Sequence, residues 1–85
     1  MKITKTTLSR LAETDFNNLA FGRTFSDHML MCKYKDGQWE EAEILPYQAL
    51  SFAPGTHVFH YGQAVFEGMK AYNGPEGETL LFRPE

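Results

Sequence analysis

The chain has 85 residues and a formal net charge of −3, with 42% hydrophobic and 14% aromatic residues. That length allows one domain at most, with a marginal core, and the seven Phe, four Tyr and one Trp argue against disorder. Without a long run of either charge sign there is no reason to expect a nucleic-acid or anionic-membrane partner.

No apolar stretch approaches the roughly 20 residues needed to cross a bilayer. The opening "MKITKTTLSR" lacks the apolar block of a secretory leader, so a cytoplasmic protein is expected. The lone Cys32 has no disulfide or zinc-type cysteine partner and reads as a small buried apolar side chain. So many rings in so short a chain exceed what its own core would cover, which points to partner surface.

In "TTLSRLAETDFNNLAFG", Leu8, Leu11 and Ala12, then Phe16, Leu19 and Ala20, recur at helical intervals, interrupted by Asp15, Asn17, Asn18 and Gly22. Helix and extended arm both stay open for residues 5–20. "DHMLMCKYKDGQWEEAEIL" reads as a hairpin, with Asp36-Gly37 supplying the two positive-φ positions of a type I′ turn. A two-residue turn pairs Tyr34 with Trp39 and Lys33 with Glu40. At the hairpin base Met29 and Met31 alternate with Leu30 and Cys32, so both faces are apolar and burial on two sides is expected.

Between hairpins, Pro46, Pro54 and Gly55 punctuate a long connection, and a short helical turn is expected from His60, ending at Gly68. "MKAY" and "TLLF", separated by "NGPEGE", predict a second hairpin with strands near 69–73 and 79–83. Pro84-Glu85 then suits the first turn of a helix. The fold class expected is α+β, an antiparallel sheet built from hairpins with short helical segments.

Ser26, Asp27 and His28 invite a hydrolase triad, but consecutive residues entering a strand point to opposite faces and cannot converge. His57, His60 and Glu67 lack a further ligand at a persuasive spacing, so structural histidines are the better reading and no metal site is expected. "NGPEG" has no following helix and lysine, which makes it a turn and not a phosphate cradle. Lys70, between Met69 and Ala71 on a predicted strand, reads as solvated rather than catalytic. In "HVFHYGQAVFEGMKAY", Phe59, Tyr61, Val65, Phe66 and Met69 taken alone look like core. A pocket stays possible because Gly62 and Gly68 bracket the rings and would let backbone approach another group closely.

"FGRTFSDHMLMCKY", "LSFAPGTHVFHYGQAVFEGMKAY" and "LLFRPE" together closely resemble the N-terminal part of branched-chain amino-acid aminotransferases, which are fold-type IV pyridoxal-phosphate enzymes. The resemblance runs from about Phe16 to Glu85 and is strongest in the HYG…VFEG…K series. The looser tyrosine-glycine and phenylalanine-glutamate portion is shared with D-amino-acid transaminases and aminodeoxychorismate lyases, whereas "FGRTFSDHM" points to the branched-chain group. The resemblance implies that residues 1–85 are a truncated N-terminal small domain with an arm over 1–20. It implies a homodimer in the complete enzyme, with amino-acid and 2-oxo-acid substrates.

By the same resemblance Phe21 and Phe66 are walls of the substrate side-chain pocket. Tyr61 reaches across the dimer interface into the partner's pocket, Gly68 sits beside it, and Glu67 is structural. The lysine and the phosphate-gripping arginine that hold pyridoxal phosphate in the family lie beyond residue 85, and neither Lys70 nor Arg83 matches them. No catalytic or cofactor-binding residue is therefore expected in this piece, which should be inactive alone and bind no cofactor. The alternatives are another fold-type IV enzyme, acting on D-amino acids or aminodeoxychorismate, or a cofactor-free β-rich binding or assembly module.

Overall fold

A computed structural model of the chain describes residues 1–81. The expected end of the last strand, Arg83, and the helix start at Pro84-Glu85 lie outside the described residues. The chain divides into two compact units, Met1–Leu50 and Ser51–Glu85.

The first unit is built on a three-stranded sheet in the order β1 (Lys2–Ile3), β5 (Glu43–Pro46), β2 (His28–Met31). Strands β2 and β5 are antiparallel, and between them lies the two-stranded ladder β3 (Tyr34–Lys35) and β4 (Gln38–Trp39). Asp36 and Gly37 take φ of 53° and 81°, the left-handed pair that a twisted two-residue hairpin turn requires. The expected register follows: Tyr34 faces Trp39, their rings edge-on at 5.1 Å, and the Glu40 amide donates to the Lys33 carbonyl at 2.7 Å.

Continued without a break, that register would set Met31 against Ala42. The sheet instead pairs Met31 with Glu43, so the returning strand holds one extra residue between the two ladders, as in a β-bulge. Cys32 stands at this break. It is exposed, with its thiol donating to the Glu40 carbonyl at 3.3 Å, and so it is not the buried apolar residue expected.

Burial of the hairpin base on two sides is also corrected. Met29, Met31, Ile44 and Leu45 are half-buried, but Leu30 is 65% exposed, and none of the described residues is fully buried. Strands of two to four residues offer too little surface to seal apolar side chains on both faces.

β1 runs parallel to β5, with the Thr4 amide donating to the Ile44 carbonyl at 2.8 Å. The rest of the N-terminal segment forms no continuous helix among the described residues: it holds one 3-10 turn, Leu11–Glu13. Polar side chains capture the backbone on both sides of it. The Leu11 amide donates to Ser9 Oγ at 3.1 Å, and the Asn17 amide to Asp15 Oδ1 at 2.9 Å. Such local bonds compete with helix propagation.

In the second unit, the Thr56 amide donates to the Ala53 carbonyl at 3.0 Å, closing a turn over Pro54-Gly55. A single helical turn, α1 (His57–His60), follows directly. It stops at Tyr61 because Gly62, at φ 62°, takes the left-handed position that ends helices. The helix expected from His60 to Gly68 is therefore placed too late in the chain, and residues 62–70 have no regular structure. The second hairpin is as expected: β6 (Ala71–Asn73) and β7 (Thr79–Leu81) are antiparallel, with Tyr72 opposite Leu80. Lys70 precedes β6 rather than lying on it, and is exposed.

Gly37 gives a direct test of the turn. Gly37→Ala forces a Cβ into the left-handed region and should cost about 1 kcal/mol. This should be read as a lower denaturation midpoint for the fluorescence of Trp39, the single tryptophan of the chain. Gly37→Asn should recover most of the loss, because asparagine tolerates that conformation.

Candidate functional site

Phe21 stands at the tip of a tight turn. The amides of Arg23 and Thr24 both donate to the Ala20 carbonyl at 3.1 Å, and Gly22 supplies φ 75°. Its ring is 95% exposed. The loop carrying it returns to its own start, because Asp27 grips residues 17 and 18 positions upstream. Asp27 Oδ2 accepts from the Ser9 hydroxyl at 2.6 Å, and Oδ1 accepts from the Arg10 amide at 2.9 Å. The Arg10 guanidinium lies 3.7 Å from Oδ1, donates to the Ser26 carbonyl, and sits 5.4 Å over the Tyr47 ring.

This settles the Ser26-Asp27-His28 motif as structural. Ser26 Oγ donates to the His28 carbonyl at 2.7 Å, and His28 Nε2 accepts from the Thr6 amide at 3.0 Å. Each side chain is occupied separately, so no nucleophile–base pair exists among the three. The clasp made by Asp27 escapes sequence reasoning, because nothing local links it to Ser9 and Arg10.

In the second unit, Tyr61 packs edge-on against His57 with ring centroids 5.1 Å apart, and Gln63 Oε1 lies 2.8 Å from His57 Nδ1. Phe52 meets Phe59 edge-on at 6.2 Å. Tyr61 is 74% and Phe66 83% exposed, so the reading of this stretch as a core is overturned. Gly62 is explained by its φ. Gly68 is different: a Cβ there would meet nothing within 4 Å, so the packing of this chain does not demand a glycine. Among the described residues no group of His, Cys, Asp and Glu is arranged to hold a metal ion, and no helix is long and apolar enough to cross a membrane.

Phe21 belongs to the first unit and Tyr61, Phe66 and Gly68 to the second. Across residues 51–81 the only Lys or Arg is Lys70, while in the first unit Arg10 is taken up by Asp27 and Ser26. These residues can offer apolar rings and an open backbone.

No family model matches the chain. Curated proteins do. The chain is 49% identical over 80 residues to branched-chain-amino-acid aminotransferase 2 of Bacillus subtilis, a match covering 93% of the chain and 22% of that protein. It is 42% identical over 77 residues to the branched-chain-amino-acid aminotransferase of Helicobacter pylori, covering 91% of the chain and 23% of the relative. With branched-chain-amino-acid aminotransferase 2, chloroplastic, of Arabidopsis thaliana it shares 43% over 75 residues, covering 87% and 19%. Over most of its length the chain is thus similar to curated branched-chain-amino-acid aminotransferases. The chain spans about a fifth of the length of the curated relatives it matches.

Asp27 has a measurable signature. Its carboxyl is held below the ordinary 3.8, first by the Ser9 hydroxyl and then by the Arg10 amide, with the Arg10 guanidinium adding to both against some desolvation. A depressed folded value means the clasp is complete above the ordinary carboxylate range and is lost as pH falls through the lowered value. The Ser9 and Arg10 backbone resonances should therefore shift only below about pH 4, and Asp27→Asn should abolish that transition.

Proposed function

We propose that this chain is the N-terminal part of a branched-chain amino-acid aminotransferase that moves the amino group of Leu, Ile or Val to 2-oxoglutarate. The complete enzyme would be a cytoplasmic homodimer in branched-chain amino-acid biosynthesis. In this reading residues 1–85 are part of its smaller N-terminal domain, with residues 1–20 as an arm. The observation that carries it is the 49% identity over 93% of the chain.

Phe21 and Phe66 are proposed as walls of the substrate side-chain pocket, Tyr61 as a ring donated across the dimer interface, and Gly68 as the backbone edge of the cavity. Their exposure supports this, because rings left in water at the surface of a small unit favour burial against another surface. Once covered, they would make a dry pocket that rejects charged side chains through desolvation. One methylene changes affinity there by only about 1–3 kcal/mol, so Leu, Ile and Val would all be accepted.

Pyridoxal phosphate, when bound in the complete enzyme, would supply carbanion stabilisation during amino transfer. Phe21, Tyr61, Phe66 and Gly68 contribute orientation and exclusion of water, and no residue of this chain is proposed to move a proton or to hold the phosphate. The 85-residue chain alone should therefore be inactive. Mixed with pyridoxal phosphate it should show no new visible absorbance band, and such a band would mean that this piece itself holds the cofactor.

The pocket role is tested in the complete protein. Tyr61→Ala should lower kcat/KM for leucine about tenfold or more while leaving the cofactor absorbance in place. Unchanged kinetics would remove Tyr61 from the pocket.

A further inference from the structure

The loop between Arg10 and Asp27 has an unusual construction. Its walls, among them Leu11, Phe16, Leu19 and Phe25, flank an apolar hollow of about 350 Å³. A loop packed solid by its own side chains would keep its shape from within. In this loop the hydrogen bonds within residues 10–24 are all local: the 3-10 turn at Leu11–Glu13, the turn at Asp15–Asn18 and the tip turn. The bonds that join its two ends lie at the base.

At the base, the Tyr47 amide just beyond β5 donates to the Asp27 carbonyl at 2.8 Å, and the Tyr47 ring stacks on Phe25 at 5.0 Å and 13°. Asp27 is thereby joined to the sheet through its backbone and to the start of the loop through its carboxylate. The tip turn holds only its own residues, from Ala20 to Thr24. Among the described residues no hydrogen bond ties the tip turn to the sheet, so its position depends on how the base of the loop is held.

We propose that Asp27 is a positioning residue: its carboxylate clasps the base of this loop and so sets where Phe21 stands against the substrate side chain, without touching substrate itself. This rests on the reading of Phe21 as a pocket wall. It predicts a particular kinetic pattern, because a displaced wall weakens binding of a large apolar side chain but leaves the chemistry with the reactive groups.

The test is steady-state kinetics of the complete enzyme with leucine, with cofactor absorbance as the check on integrity. Asp27→Ala should raise KM for leucine about tenfold, with kcat within about twofold and the cofactor absorbance unchanged. Asp27→Asn keeps an oxygen for the Arg10 amide and should recover part of the loss. Ser9→Ala removes one donor with little threat to folding, and should raise KM in the same direction by a smaller factor. Phe21→Ala should raise KM by itself, and adding Asp27→Ala to it should change nothing further, because the clasp acts through that ring.

Equal factors from Asp27→Ala in the presence and absence of Phe21 would overturn the proposal. So would an unchanged KM in both Ser9→Ala and Asp27→Asn while Phe21→Ala raises it, and that result would leave the pocket reading intact. An unchanged KM in Phe21→Ala would instead overturn the pocket reading and the clasp with it. Should Asp27→Ala fail to fold, Ser9→Ala alone and combined with Phe21→Ala completes the same comparison.

Discussion

Strand β5 accepts partners on both edges, β1 in parallel and β2 antiparallel, and the order of the first unit descends from that double pairing. The side chains of β5 and the facing Met29 and Met31 are only half-buried, so backbone hydrogen bonds carry a larger share of the structure than a sealed core would allow. Each such bond contributes a net of about 1 kcal/mol, which makes continuity of the ladder matter more than any single apolar contact. The Tyr47 amide extends the same ladder one step, onto the Asp27 carbonyl. The sheet therefore fixes the residue that gathers the loop above it.

The second unit is organised differently. A proline-glycine turn, a single turn of helix and a left-handed glycine occupy residues 53–62, and a short hairpin closes the described chain. Tyr61 and Phe66 stand in and after that irregular stretch with most of their surface in water. Binding residues are often carried on loops held by a regular scaffold, and Phe21 and Phe66, proposed above as pocket walls, both stand outside regular strands and helices in their separate units. For an apolar pocket this arrangement has a physical logic: rings on loops can be presented edge or face to a ligand, whereas rings on a strand are committed to one side of the sheet.

Ser26, Asp27 and His28 illustrate how one polar block can be misread as chemistry. Each of the three has a backbone or side-chain partner in a different direction, and together they tie residues 6, 9 and 10 to the entrance of β2. Their low chemical promise and high structural use share one cause. A strand's alternating faces scatter adjacent side chains, and scattered side chains are well placed to collect separate pieces of chain.

What the sequence alone determined is what short-range sterics determine. Asp36-Gly37 dictated a type I′ turn and hence the Tyr34–Trp39 pairing, and "NGPEGE" dictated the break between β6 and β7. The similarity to branched-chain aminotransferases was legible too, through the HYG…VFEG series and "FGRTFSDHM". The candidate ring residues came from that resemblance and not from periodicity, which by itself suggested a core. Tertiary structure decided the rest: the extra residue that shifts β5 against β2, the parallel docking of β1, the exposure of Cys32 and of the rings, and the Asp27 clasp. Each of these depends on partners many positions apart, or on which surfaces remain uncovered, and no local rule of backbone geometry encodes either.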